Sequence, residues 1–288
     1  MAFSLTRKVP MPNVSVPKVV AGSGGGIARF AHLDSSAYIL GSAALAQSFE
    51  DLTNDGDADW TVVQVMQSDL SLGAATVLRV WADAWTDNAT SEGWSMVRDY
   101  SGGQEDHLRV FASAGGSTIE DLGGLGDPGA GPSIVDGSVH LVLAADVGTA
   151  GAGQIKAGAD GAAFASAPGT YTRASIGDID YFTVAGGTRG PTPTHYSPLG
   201  WTYFTALVSE DLESSNATLW AAFNNVINGN PAANMLPACR ALMTSLESEV
   251  TSTSNILYAE IYNEGSGALY GDTATRSGVV YTIPGVSP

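Results

Sequence analysis

The sequence predicts an all-β protein: an antiparallel β-sandwich with an N-terminal arm and a small α+β C-terminal extension. Three observations lead there. Charged residues make up only 14% of the 288 residues, while glycine numbers 35 and proline 13, so turn formers recur between short apolar runs. Those runs are rich in β-branched and aromatic residues, as in Trp60-Thr61-Val62-Val63-Gln64-Val65-Met66-Gln67, the make-up of a strand in a sandwich core. The third observation is Asp160-Gly161, directly after Gln154-Ile155-Lys156-Ala157-Gly158-Ala159. A type I′ hairpin turn needs positive φ, which glycine accepts freely and aspartate tolerates.

In chain order, residues 1–26 hold Pro10, Pro12 and Pro17 and then Gly22-Ser23-Gly24-Gly25-Gly26. Prolines favour an extended arm and glycines a flexible joint, either a loose terminus or an arm that docks on a neighbouring subunit. Strands are expected at Trp60–Gln67, Thr76–Trp81, Trp94–Asp99 and Leu108–Phe111, joined as a meander, with Leu108 and Val110 alternating with Arg109 and Phe111. Residues 121–133 and 186–198 read as loops from their glycines and prolines. Val139–Ala144 reads as a strand, Asp146–Gly153 as a glycine-rich turn, and Gly200–Val208 as a further strand before a short helix ending near Trp220. Met235, Leu236, Cys239, Leu242, Met243, Leu246 and Val250 recur at helical spacing, with Pro237 expected in the first turn, where amides lack helical acceptors anyway. Ile256–Tyr262 and Val279–Ile283 look like two last strands. The segment 226–288 is expected to pack on the sandwich or on another chain.

The run His140-Leu141-Val142-Leu143, Ile155-Lys156, Asp160-Gly161 and Ser175-Ile176-Gly177 resembles the strand signature of laminin-G-like and concanavalin A-like jelly-roll domains. Gly200–Val208 and the Ser209–Trp220 segment look like that family's closing strand and end helix, and Ala28-Arg29-Phe30 with Ser36-Ala37-Tyr38-Ile39 like its opening hairpin. The likeness spans residues 27–225 and implies a laminin-G-like β-sandwich there.

Composition excludes some function classes. With 12 Lys+Arg against 29 Asp+Glu the formal charge is −17, which repels a phosphate backbone and leaves no basic cluster for nucleic acid. The surplus of acid serves solubility or supplies cation ligands. Met1–Lys8 leads into Val9-Pro10-Met11-Pro12-Asn13 with no apolar run fit for a signal peptide, and no stretch reaches 18 apolar residues. The expectation is a chain made in a cytoplasm without secretory export and without a membrane partner. The single Cys239 fits a reducing compartment.

Residue type and spacing mark several candidate sites. Asn54, Asp55, Asp57 and Asp59 crowd one stretch before Trp60, where spaced oxygens could converge on calcium. The EF-hand pattern fails there, since Trp60 and Met66 stand where glycine and glutamate are needed. Asp178 and Asp180 are a weaker pair. Gly124-Leu125-Gly126-Asp127-Pro128-Gly129 spells a dinucleotide fingerprint, but Pro128 removes the helix such a loop must open. Glu260 and Glu264 are the nearest approach to a glycosidase carboxylate pair, and no Gly-x-Ser-x-Gly or His-Glu-x-x-His motif occurs. Of the histidines His32, His107, His140 and His195, His140 is expected to serve the fold, and His195 beside Tyr196 to touch a ligand. Trp60, Trp81, Trp94, Trp201 and Trp220 fall in expected strands or the end helix, where aromatics fill cores. Trp85, in the loop-like Trp85-Thr86-Asp87-Asn88, is the expected exposed ring, so the sugar-binding candidates are Trp85, His195 and Tyr196.

No catalytic constellation emerges, and the chain is expected not to be an enzyme. A laminin-G-like domain without an export signal also resembles proteins of tailed bacteriophages. That resemblance implies a virion structural protein, a decoration, tail or fibre component, whose partners are other virion proteins and copies of itself, with host-surface glycans as a further partner. The alternative is a carbohydrate-binding lectin module, calcium-assisted through Asn54, Asp55, Asp57 and Asp59.

Overall fold

The structure is a computed structural model, and it describes residues 39–40, 43–55, 57–68, 79–86, 93–98, 107–115, 117–123, 131–173, 176, 179–184, 187–188, 193–195, 200–261, 264–265, 268–269, 272–276 and 279–283. In chain order its elements are β1 (Ile39–Leu40), α1 (Ala43–Asp55), β2 (Trp60–Ser68), β3 (Arg79–Trp85), β4 (Gly93–Arg98), β5 (Leu108–Ala114), β6 (Ser117–Leu122), β7 (Val139–Thr149), β8 (Ala152–Ala159) and β9 (Ala165–Ser166). There follow β10 (Tyr181–Val184), β11 (Gly187–Thr188), β12 (Pro193–His195), β13 (Gly200–Val208), α2 (Asn216–Ile227), α3 (Pro231–Glu249), β14 (Ile256–Ile261), β15 (Glu264–Gly265), β16 (Ala268–Leu269), β17 (Asp272–Arg276) and β18 (Val279–Ile283).

Two stacked sheets make the expected sandwich. Sheet A has the order β1-β10-β3-β4-β5-β6, and sheet B the order β17-β18-β14-β13-β2-β7-β8-β9. All pairs are antiparallel except β14 with β18. The meander from β3 to β6 follows chain order, as strands that are neighbours in sequence tend to pair.

Period-two alternation assigns each side chain to a layer. From sheet A, Trp81, Ala84, Trp94, Met96, Leu108, Val110 and Phe182 enter the sandwich core; from sheet B, Trp60, Val62, Met66, Val142, Ala144, Ile155 and Ala157 meet them. Phe49 of α1 closes the end of this core, its ring 4.7 Å from Trp60, 6.1 Å from Trp94 and 5.7 Å from Phe182. Trp60 and Trp94 reach across the sheets edge to face at 5.0 Å. One polar bridge crosses the same layer. The β3–β4 register shifts between Val80 and Ala82, and the fully buried Gln64 on β2 donates to the backbone carbonyl of Trp81 at 3.3 Å.

The opposite side of sheet B is apolar too: Val63, Val65, Leu141, Leu143, Phe204, Ala206 and Val208 lie under Leu219, Phe223, Ile227, Cys239, Leu242 and Leu246 of α2 and α3. Those two helices form a hairpin that seals this face. β14 then pairs with β13 along Phe204–Val208, so the chain beyond residue 225 extends sheet B and covers it.

Several expectations need correcting. Residues 43–55 form a helix, so Asn54 and Asp55 are the last residues of α1 instead of members of one turn with Asp57 and Asp59. Ala46, Phe49 and Leu52 recur every three residues, the mark of a buried helical stripe. β7 runs straight through the expected glycine-rich turn to Thr149, and Ala150-Gly151 alone reverse the chain. α3 begins at Pro231, with the Asn230 side chain accepting from the Ala233 amide at 3.3 Å, so Pro237 lies inside the helix and not in its first turn. Ile176 is fully buried but belongs to no strand. The Asp160-Gly161 turn holds, with φ of 54° and 75° and Ala162 N donating to Ala159 O at 2.9 Å. The N-terminal arm, the opening hairpin before Ile39 and residues 124–130 lie outside the described residues.

A buried ion pair fixes one end of the core. Asp146 projects from the core side of β7, in the same alternation as Val142 and Ala144, and accepts from Arg173 Nε at 3.1 Å and from the Tyr171 hydroxyl. Arg173 Nη1 donates to Ala58 O at 2.8 Å, between α1 and β2. Gly153 of β8 makes room: a Cβ there would come within 2.6 Å of Arg173 Cγ and 3.1 Å of Tyr171 Cε1. Since Arg173 is fully buried and held at both ends, Gly153→Ala is expected to destabilise the fold by about 1–3 kcal/mol. Urea unfolding measures this, and an unchanged midpoint would contradict the packing argument.

Candidate functional site

The outer face of sheet A differs from that of sheet B. Alternation turns Val80, Trp85, Val97 and Phe111 away from the sandwich core into a small cluster of their own. Among them lie polar groups in one cross-strand row, because Asp83 pairs with Ser95, Ser95 with Phe111 and Phe111 with Asp121. Directly opposed residues on one face are close enough to interact.

At one end of the row Asp83 is 1% exposed. Its carboxylate accepts from the Ser95 hydroxyl and from the Trp85 indole N–H, which also lies 2.9 Å from Ser95 Oγ. Gly93, paired with Trp85, allows the indole to lie flat, since a Cβ there would sit 2.8 Å from Trp85 Cδ2. At the other end Arg109 Nε and Nη2 donate to Asp121 Oδ1 and Oδ2 at 2.9 and 2.8 Å, a bidentate fork. The guanidinium rests 4.7 Å above the Phe111 ring, within range of a cation–π attraction. The fork is the more open end, with side-chain exposures of 15% for Arg109 and 25% for Asp121.

The sequence-derived sugar candidates are distributed differently from expectation. Trp85 is not an exposed loop ring: it ends β3 at 1% exposure and holds Asp83 in place. His195 is the last residue of β12, which pairs with β11, and Tyr196 lies outside the described residues. Of the calcium candidates, Asp57 Oδ1 accepts from Ala150 N at 3.2 Å and Asp59 Oδ1 from Gly148 N at 2.8 Å, which ties the start of β2 to the β7–β8 turn. Asn54 and Asp55 belong to α1. Among the described residues no group of three His, Cys, Asp or Glu is arranged to hold a metal ion. Asp83, Ser95 and Asp121 carry no motif and were missed; the alternation of Arg109 with Leu108 and Val110 was the one visible sign of this face.

No protein-family model matches the sequence, and no curated protein matches it. Among solved structures the chain is similar to the CBM40 of the Ruminococcus gnavus IT-sialidase bound to alpha2,3 sialyllactose, with 13% identity and a TM-score of 0.40 over 62% of this chain and 85% of that one. It is similar to the NanB sialidase of Streptococcus pneumoniae, in the K499G mutant, with 13% identity and a TM-score of 0.44 over 67% of this chain and 27% of that one. A heptameric SAP-like pentraxin from Limulus polyphemus follows, with 16% identity and a TM-score of 0.34 over 59% and 71%.

His140 serves the fold, as expected. Its Nδ1 lies 2.7 Å from Asp160 Oδ2 and its Nε2 2.9 Å from Asp136 Oδ1, so the imidazole joins the start of β7 to the Asp160-Gly161 turn. Against that turn α2 docks, with Asn216 Nδ2 donating to Ala162 O at 2.5 Å. Burial alone would lower the His140 pKa, but the bonds and charges of Asp160 and Asp136 outweigh it and hold the group above its ordinary 6.5. A raised folded pKa gives stability that is full below about pH 6.5 and is lost as pH rises through the folded value. Melting temperature is therefore expected to fall as pH is raised from 6 past the titration of His140, and His140→Gln to flatten that decline. An equal slope in the variant would show that other groups carry it.

Proposed function

We propose that the protein is a non-catalytic glycan-binding module that takes sugar at the Arg109–Asp121 end of sheet A. The observation behind this is the part-exposed fork of Arg109 and Asp121, at 15% and 25% side-chain exposure, braced from behind by the buried Phe111 ring. A sugar offers vicinal hydroxyls, and planar charged side chains match them with paired hydrogen bonds. Among the described residues sheet B has no comparable face, since α2 and α3 cover it. Arg109 and Asp121 make the first contacts; Trp85, Asp83 and Ser95 hold the strand row behind them. Titration calorimetry against a panel of oligosaccharides tests the reading. Arg109→Ala is expected to weaken binding about tenfold, the cost of losing a charged hydrogen bond, with no change in fold by circular dichroism. Binding undiminished in Arg109→Ala would move the site elsewhere. The same titration in EDTA asks whether calcium at Asn54, Asp55, Asp57 and Asp59 contributes.

A second proposal places the protein in a phage virion, as the resemblance implies. The structural support for it is β6, a six-residue strand at the edge of sheet A, to which a neighbouring subunit can add a strand. Mass spectrometry of purified particles from the source culture is expected to find the chain at fixed copy number. Its absence there rules the placement out and leaves the glycan module standing alone.

A further inference from the structure

We propose that Asn228 is a modification site, at which the side-chain amide is lost as ammonia and aspartate or isoaspartate takes its place in the joint between α2 and α3. The reaction needs only water. The backbone nitrogen of Gly229 attacks Asn228 Cγ, a Cγ–N bond forms, the Cγ–Nδ2 bond breaks, and ammonia leaves with the Gly229 amide proton. Water then opens the succinimide ring. Opening at Cγ gives aspartate; opening at the Asn228 backbone carbonyl gives isoaspartate, in which the chain runs through the side-chain carbon. Because both reacting groups sit on adjacent residues, no bimolecular encounter is needed, and the rate depends on whether the chain can turn there.

The joint is free to turn. α2 ends at Ile227 and α3 begins at Pro231, so Asn228-Gly229-Asn230 lies outside both helices and is exposed. Gly229 has φ of 88° and open space where a Cβ would stand, so no side chain hinders the attacking nitrogen. Among the described residues no hydrogen bond is made by the Asn228 side chain or by the Gly229 amide. Other sites of the same kind are held. Asp160-Gly161 and Asp136-Gly137 could close the same ring, but Asp160 accepts from Leu141 N at 2.9 Å and meets His140 Nδ1 at 2.7 Å. Asp136 accepts from Ser138 N at 2.6 Å and meets His140 Nε2 at 2.9 Å. Asn216 is 2% exposed and donates to Ala162 O, and Asn255 donates to Glu210 Oε1. Asn54, Asn224, Asn225 and Asn234 lie within helices, and Asn230 precedes Pro231, which has no amide hydrogen to give.

The product acts on the layer that covers sheet B. A new carboxylate adds to the formal charge of −17 at the C-terminal end of α2. The helix carbonyls there are already negative, and the Asn228 backbone amide donates to Asn224 O at 3.0 Å. Isoaspartate also lengthens by one carbon a joint on either side of which Ile227 and Met235 are buried against sheet B.

The test keeps the full chain in mildly alkaline, ammonia-free buffer, samples it over days and reads residue 228 by peptide mass spectrometry, with fragmentation that separates aspartate from isoaspartate. Asn228 is expected to convert at least about tenfold faster than Asn224 or Asn225, which must first open the end of α2. Equal rates at the three positions overturn the proposal, as does an intact Asn228 at a time when a free peptide of residues 226–231 has converted. Asn228→Gln, whose longer side chain does not close the same ring, is expected to show no conversion there. It is also expected to hold its urea midpoint on ageing while that of the wild type falls. A wild type that converts fully with its midpoint unchanged, or a midpoint that falls equally in both chains, overturns the effect on the helical layer.

Discussion

The pairing of Asp146 with Arg173 is the constraint on which the rest of the sandwich depends. Both side chains are fully buried, and burial pushes the Asp146 carboxyl up to about 6 although Arg173 and Tyr171 pull it down. The cost of removing the carboxylate from water thus exceeds what its partners return, as is common for buried pairs. What the pair supplies is position. It gathers β7, the Tyr171–Arg173 segment, the Ala58 carbonyl and, through a 3.6 Å contact, Asp59. Asp57 and Asp59 then hold the β7–β8 turn by its amides. A register slip of one residue in β7 would send Asp146 to the helix side and strand Arg173 in the core. The ion pair therefore selects one register out of those that the Ala- and Val-rich strands would tolerate.

The two outer faces show how one sandwich accommodates different surroundings. Sheet B is hydrophobic on both sides and needs a third layer, which α2 and α3 provide from the chain that immediately follows β13. Cys239 is consumed in that layer; burial drives its thiol pKa far up, so it acts as a small apolar group. Sheet A turns polar groups away from the sandwich core, with Asp83 and Ser95 buried there all the same, and satisfies them in pairs across strands. Between the layers the bulge near Trp81 frees a carbonyl, and Gln64 from the facing sheet accepts the role of its donor. This polar link, with that of Arg98 to Ser68 Oγ at 3.4 Å, fixes how the sheets slide over one another, which apolar contacts alone leave loosely defined.

Local signals in the sequence were enough for several strands and for the sandwich class, but not for β6 (Ser117–Leu122) or for β11 and β12 within residues 186–198, which read as a loop. Trp60–Gln67, Leu108–Phe111 and Gly200–Val208 announce themselves by β-branched content or alternation, and Asp160-Gly161 by turn chemistry. What stayed hidden depends on contacts between distant residues. β7 continues through Gly148, where φ is 115° and a Cβ would meet Ala152 O at 2.3 Å; the glycine answers a crowded hairpin rather than a loop, and composition cannot tell these apart. Trp85 looked exposed because polar residues follow it, yet Ser95, ten positions on, and Gly93 receive its indole. The Arg109–Asp121 fork joins residues on two strands whose pairing shifts register at Ala112, so no fixed spacing marks it. α1 was not expected, although its stripe of Ala46, Phe49 and Leu52 stands at helical spacing in the sequence.

The joining of β14 to β13 has a consequence for how this protein can be inherited or recombined. A jelly-roll unit cut at residue 225 would keep the recognisable strands but lose the neighbour that hydrogen-bonds to Phe204–Val208, and with it the helix α3 that shields Phe204, Ala206 and Val208 from water. The fragment would present a long bare edge beside an apolar plane, the two features that drive chains to aggregate. The smallest transferable piece therefore includes β14, and a lineage that exchanges this domain between proteins must carry the helical hairpin along as part of the same gene segment.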